Sequence, residues 1–204
     1  MSQNDHSYAS VEHSLLCPSE LWCTKDLRQT RGIIPRRAGI YAWFASCDAF
    51  PFPVAGSGWT HAGWSPIYIG KAIKSGGLSR RLHAHFNRDA GHSNFRLHLG
   101  VALRNRLKLE LLHKQHIAFL PIGETILSDW LDSSCRLSWL EVDDPQASLA
   151  EKALIHAHHP PLNTESQWFS DNIAVTERQL VEGCGTRTRS WRRWSPLSAR
   201  TNGS

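Results

Sequence analysis

The sequence predicts an α+β domain in which a small mixed or antiparallel sheet of about three strands is flanked by helices. Three observations carry this. Short apolar runs with a β-forming tyrosine or tryptophan occur at "AGIYAWFA" (38–45), within "SPIYIGKAIKSGG" (65–77), and at "CRLSWLEV" (135–142). In "LSRRLHAHF" (78–86), Leu78, Leu82 and Phe86 recur at helical spacing. "DDPQASLAEKALIHAHH" (143–159) has a capping Asp144, a proline in the first turn and a helical body that stops at Pro160 and Pro161.

In chain order, 1–35 is polar and irregular apart from a short helix expected over "SLLCPSELWC". A strand follows over 40–44. The stretch 46–65, rich in glycine, proline and aromatics, reads as a long loop. A second strand covers 67–70, and the helix of 78–86 comes next. Residues 94–118 read as one helix and 124–133 as another, shorter one. The third strand and the proline-terminated helix complete an order of strand, strand, three helices, strand, helix. There is no internal repeat.

At 204 residues the chain is long enough for one domain with a substantial core, and 41% hydrophobic with 20% charged residues is ordinary globular composition. No apolar run approaches the ~18 residues of a membrane span, and the polar start, with Asp5 and His6, does not read as a signal peptide. The cysteines (Cys17, Cys23, Cys47, Cys135, Cys184) are odd in number and form no CxxC pair, which fits reduced thiols in a cytoplasmic protein. The net charge of +5 lies in residues 183–204, where Arg187, Arg189, Arg192, Arg193 and Arg200 stand without an acid. Trp191 and Trp194 interleave with them, and arginine alternating with indole suits phosphate contact and base stacking. A solvated arm is the alternative reading of this tail.

Several side chains sit where a merely structural residue would be costly. Tyr41 shares a strand face with Gly39 and Trp43, and Tyr68 with Gly70. Paired as a hairpin, the strands place both phenols on one face above the isoleucines, with the glycines leaving that face open to a bulky ligand. Arg81 and His85, four residues apart, stack beside the apolar stripe of their helix, whereas Arg80 turns to solvent. Glu151 shares an apolar helix face with Ala147, Leu154, Ile155 and His158, with no cation one turn away. A carboxylate there needs compensation, either from a hard divalent cation or from an arginine elsewhere. Asn163, just past the two prolines, either fixes a loop through its amide or orients a ligand. His113-x-x-His116 and His156, His158 and His159 invite zinc, but no cysteine is close by in sequence and no zinc is expected.

Taken together, Gly39-Ile40-Tyr41, Tyr68-Ile69-Gly70, Arg81, His85, Glu151 and Asn163 resemble the landmarks of the GIY-YIG nucleases in their order. The likeness covers roughly 38–86 and 135–164. It implies a nuclease domain over 38–164, flanked by an N-terminal extension (1–37) and a C-terminal extension (165–204) ending in the basic tail. The long stretches 46–65 and 87–134 read as insertions, similar to those of the family's restriction-type members. Lys71 follows the second motif directly, as in some members.

The resemblance implies a metal-dependent endonuclease hydrolysing DNA, restriction-like or otherwise stand-alone, with a structure-specific repair nuclease and a non-catalytic nucleic-acid-binding protein as alternatives. Glu151 would hold one Mg²⁺ or Mn²⁺, and Arg81 would stabilise the transition state. Tyr41 would act on the attacking water, directly or with His85, its phenolate favoured by Lys71 and the metal. Tyr68 and Asn163 would position the reacting groups. DNA is the partner implied, and a second copy of the chain is left open.

Overall fold

The computed structural model describes residues 3–30, 32–46, 48–49, 60–113 and 116–163. The arginine- and tryptophan-rich tail, with Arg187, Arg189, Trp191, Arg192, Arg193 and Trp194, lies outside the described residues, as does most of 46–65.

The elements run α1 (Gln3–Leu16), β1 (Trp22–Cys23), α2 (Thr24–Gln29), β2 (Gly39–Ser46), β3 (Trp64–Ala72), α3 (Gly77–Phe86), a 3₁₀ turn (Ala90–His92), α4 (Asn94–Leu107), β4 (Leu111–His113), β5 (Ile117–Phe119), α5 (Pro121–Ser134), β6 (Cys135–Glu141) and α6 (Asp144–His158). The main sheet is antiparallel throughout, in the order β1-β6-β2-β3, and β4-β5 forms a separate hairpin. The three expected strands are all present, and β1 adds a short fourth at one edge.

The sheet divides two apolar layers, as alternation along β2 requires. Tyr41, Trp43 and Ala45 face a cluster built with Leu78, Leu82, Phe86, Phe95, Leu99 and Leu131, whereas Ile40, Ala42 and Phe44 pack with Val11, Leu15, Leu154 and Ile155 of α1 and α6. Ile67 was expected beneath the sheet but joins Tyr68 in the first cluster. The reason is a β-bulge: Trp43 pairs with Tyr68 and Phe44 with Pro66, so Ile67 is the extra residue and the alternation breaks there.

Other expectations are corrected. The helix expected over 94–118 ends at Leu107, where Lys108 adopts a left-handed conformation (φ 54°) and its N–H returns to the Arg104 carbonyl. Its remainder forms the β4-β5 hairpin. The short N-terminal helix expected over 14–23 is replaced by α1, which begins earlier and docks through Val11, Leu15 and Leu16. The cap of α6 is Asp143, not Asp144, and its side chain makes no capping hydrogen bond.

The stretch 87–134 is no surface decoration. Phe95 of α4 stacks on Trp43 of the central strand, centroids 4.4 Å apart at 16°. Arg96 Nη2 and Glu124 Oε2 form a buried ion pair at 2.6 Å between α4 and α5, while Glu124 Oε1 accepts the N–H groups of Ala90 and Phe119. A buried ion pair needs such extra hydrogen bonds to offset desolvation.

Gly100 on α4 leaves the space occupied by the Phe119 ring, which a Cβ would overlap. Gly100→Ala gains about 1 kcal/mol of helix propensity but incurs about 1–3 kcal/mol of overpacking, for a net loss of stability. Urea unfolding checks this, and Phe119→Leu in the same background is expected to restore part of the loss.

Candidate active site

Tyr41 lies on the central strand, opposite Gly70 on one side and Trp139 on the other. A Cβ at Gly70 would come within 2.5 Å of both Cζ and Oη of Tyr41 and 2.9 Å of Tyr68 Cε1. The space that glycine leaves is filled by the tyrosines themselves rather than held open for a ligand. Likewise, a side chain at Gly39 would strike Leu78 of α3.

Arg81 and His85 reach this face from α3. Arg81 Nε donates to Tyr41 Oη at 3.2 Å, and His85 Nε2 lies 2.8 Å from the same oxygen. The Tyr41 and Tyr68 rings are 6.3 Å apart between centroids, and the Arg81 charge acts on Tyr68 as well as on Tyr41. Arg80 is exposed, as its helical phase requires. The other nitrogen of His85, Nδ1, is 2.7 Å from Ser93 Oγ.

Burial dominates the electrostatics. It pushes the Tyr41 phenol well above its ordinary pKa, and Tyr68 and Glu151 add to the rise, while Arg81 opposes it. Tyr68 is also raised, first by burial. His85 is held well below the ordinary histidine range by burial, with Arg81 and Arg96 adding to the depression, so it is neutral at neutral pH. Burial alone would lower Arg81, but the two phenols outweigh it and the net shift is upward. Tyr41 is 0% exposed and Tyr68 9%, so Tyr68 is the phenol nearer to solvent.

Lys71 and Glu151 approach from the opposite face. Lys71 alternates with Gly70 along β3 and shares the side of Ile69, against which α6 packs. Its Nζ lies 2.7 Å from Glu151 Oε2, with the two side chains 26% and 19% exposed. The compensating cation of Glu151 is therefore a lysine from β3, not an arginine. It also follows that the cation bonded to Tyr41 is Arg81, not Lys71, which corrects the expected pairing. The two halves of the site are close because β3 is an edge strand. The Glu151 charge acts across that edge to raise both phenols.

Asn163 fixes the loop after α6 through its amide. Its Oδ1 accepts the Ile69 N–H at 2.9 Å and its Nδ2 donates to the Ile69 carbonyl at 2.8 Å, while Leu162 N–H bonds the Ile67 carbonyl. A side-chain amide thus takes the place of a neighbouring strand on the outer edge of β3.

Among the described residues, no three His, Cys, Asp or Glu side chains group as a metal cage. Glu151 nevertheless suits a hydrated divalent ion. Its oxygens are hard donors on a partly open rim, and Mg²⁺ commonly takes one or two carboxylates while keeping waters and substrate phosphate. A carboxylate has lone pairs enough to serve Lys71 and an ion together.

With this geometry in place, comparison with known proteins gives one decisive result. A family model described as the GIY-YIG catalytic domain matches residues 39–179, more than half of the chain. The chain belongs to the GIY-YIG family. It is thus a nuclease of the GIY-YIG type, and both glycine-tyrosine motifs, α3 and Glu151 fall within the matched span. No curated protein and no solved structure matches it significantly.

Sequence reading missed Ser93, Arg96 and Glu124. Ser93 preceding a helix is a legible N-cap signal, and its Oγ does accept the Arg96 N–H at 3.1 Å. Nothing in the sequence links Arg96 to Glu124 or Ser93 to His85.

The depressed pKa of His85 has a consequence for stability. Below the ordinary histidine value of about 6.5, the unfolded chain takes up a proton that the buried imidazole refuses. Stability therefore falls as pH drops through this range, by up to ~1.4 kcal/mol per pH unit for each such histidine. His98, also lowered by burial, contributes in the same sense. Urea midpoints between pH 7 and pH 5 should decline less steeply in His85→Gln than in the parent; an equal decline means His85 is open to water.

Proposed function

We propose that this GIY-YIG nuclease is a divalent-metal-dependent endonuclease that hydrolyses DNA phosphodiester bonds as a stand-alone, restriction-like enzyme. The observation that carries the reading is the convergence on one strand edge of Tyr41, Tyr68, Arg81 and His85 from one face and Lys71 and Glu151 from the other.

In this reading Glu151 holds one Mg²⁺ or Mn²⁺, which when bound supplies Lewis acidity at the phosphate. Arg81, half-buried and hydrogen-bonded to Tyr41, is a cation fixed before substrate arrives. Preorganised charge of this kind stabilises the negative charge that develops on phosphoryl oxygens without reorganising during reaction. Tyr68, the more exposed of the two phenols, orients water or phosphate. Tyr41 holds Arg81 and Tyr68 in place. Lys71 neutralises part of the Glu151 charge, which allows the acid to wait on an apolar helix. Asn163 keeps β3 from pairing further and so preserves the edge at which the two halves meet.

Charge on the surface supports nucleic acid as substrate. On the outer side of α3 a shallow trough is lined by Arg36, Ser75, Gly76, Ser79, Arg80 and His83, with no acid. The helix that carries Arg81 and His85 inward thus presents Arg80 and His83 outward. A basic track beside a cation-bearing site suits a phosphate backbone.

Purified protein incubated with plasmid and Mg²⁺ is expected to cut, Glu151→Ala to bind without cutting, and Arg81→Ala to cut about 10²–10³-fold more slowly. Discrete fragments indicate a sequence-reading enzyme, and incision confined to flaps or branches indicates the repair alternative. Binding with no cleavage by the parent protein favours the non-catalytic reading. Across a salt titration, Arg36→Ala/Arg80→Ala should weaken DNA binding and reduce the slope of log K against log salt by ~0.9 for each phosphate contact removed. An unchanged slope places the DNA elsewhere.

A further inference from the structure

We propose that Ser93 is a positioning residue that fixes His85 as the Nε2–H tautomer, so that the imidazole donates to Tyr41 and does not accept its proton. Ser93 comes from the stretch between α3 and α4, outside every motif that carries the family resemblance.

The argument is a count of donors and acceptors. A serine hydroxyl has one hydrogen and two lone pairs. As the N-cap of α4, Ser93 Oγ already accepts the Arg96 N–H at 3.1 Å. His85 Nδ1 lies 2.7 Å away, Ser93 is 1% exposed, and among the described residues Oγ has no further partner. If Nδ1 carried the hydrogen, Oγ would accept twice and its own hydrogen would be buried without an acceptor, a costly arrangement. If the hydroxyl donates to Nδ1, every hydrogen has an acceptor, and only one oxygen lone pair, which is cheaper to leave unmatched than a buried hydrogen, stays unused. The second arrangement puts the imidazole hydrogen on Nε2, 2.8 Å from Tyr41 Oη.

The consequence runs outward along the site. Tyr41 Oη then accepts from both His85 Nε2–H and Arg81 Nε–H, and both of its lone pairs are occupied. Its own hydrogen is then directed away from both donors, and the Tyr68 ring lies alongside, centroids 6.3 Å apart. The chain reads Ser93 to His85 to Tyr41, each hydroxyl or N–H donating outward from Ser93. The neutral state of His85, set by burial, agrees with this. In the opposite tautomer the chain reverses and Tyr41 donates inward. Tyr68, rather than the buried Tyr41, is then the phenol whose hydrogen is offered to substrate. This last step rests on the nuclease reading; the tautomer does not.

The test is NMR of the full chain labelled with ¹⁵N-histidine, with His85 assigned by its loss in His85→Gln. Long-range proton–nitrogen correlations distinguish a protonated from an unprotonated ring nitrogen. The expected result is a single Nε2–H tautomer in the parent protein, converted to Nδ1–H or a mixture in Ser93→Ala and restored in Ser93→Thr. Should Ser93→Ala not fold, Ser93→Gly removes the hydroxyl at a position where glycine is well tolerated as a cap. A parent protein in the Nδ1–H form overturns the proposal, and so does an Nε2–H form that survives loss of the hydroxyl. In the plasmid assay Ser93→Ala and Ser93→Gly should lose activity on the order of tenfold or more, by analogy with groups that orient metal-bound histidines, and Ser93→Thr should regain it. A parent protein that does not cut DNA but shows the expected spectra overturns the nuclease reading and leaves the tautomer assignment standing.

Discussion

The hydrogen bond between Tyr41 and His85 is made out of contact with water, and that condition organises the molecule around it. A phenol and an imidazole that are both fully buried must find every partner within the protein. Tyr41 finds Arg81 besides His85, and His85 finds Ser93. Ser93 can be there only if α4 begins where it does, and α4 is seated by Phe95 on Trp43 and by Arg96 on Glu124. The long stretch between α3 and β6, which looks like an addition to a smaller domain, therefore completes the polar interior of the site.

The edge position of β3 explains how a charge on one face of the sheet can act on groups on the other. In the middle of the sheet, a carboxylate on α6 would be screened from Tyr41 by backbone and by another strand. At the edge, Glu151 and Lys71 stand at the rim, and the carboxylate still raises both phenols. An exposed edge invites pairing with another chain. Leu162 and Asn163 cover it at Ile67 and Ile69, and they do so with one backbone N–H and one side-chain amide rather than a strand. The double proline before them ends α6 and turns the chain back toward that edge.

What could be read from the sequence was what local pattern determines. Strand alternation placed Tyr41 with Trp43, and helical phase placed Arg81 and His85 inward with Arg80 outward, because each depends on neighbours within a turn or two. Alternation failed at Ile67, where the bulge opposite Trp43 and Phe44 shifts the face and leaves no compositional mark. The helix expected over 94–118 failed at Lys108, since a left-handed lysine carries none of the signal that a glycine would. Partnerships between distant elements were out of reach. The sequence flagged Glu151 as needing compensation, but nothing local says that Lys71, 80 positions earlier, faces the same way. The polar chain through Ser93 was hidden for the same reason.

The buried phenol also constrains where catalytic power can come from. An ordinary tyrosine, with a pKa of about 10, is already a poor base at neutral pH. Burial moves Tyr41 further from that role, and Arg81 offsets only part of the rise. Arg81, by contrast, gains from the same arrangement: the phenols that are hard to ionise hold its charge in one place and raise its hold on its proton. A cation fixed by neutral hydrogen-bond acceptors retains its full charge for a phosphate, whereas one fixed by a carboxylate would be partly spent. The pairing of Glu151 with Lys71 on the far face keeps the acid from neutralising Arg81. In the proposed reaction, the two tyrosines therefore serve the arginine, and the separation of the two charge pairs by the strand edge is what leaves it available.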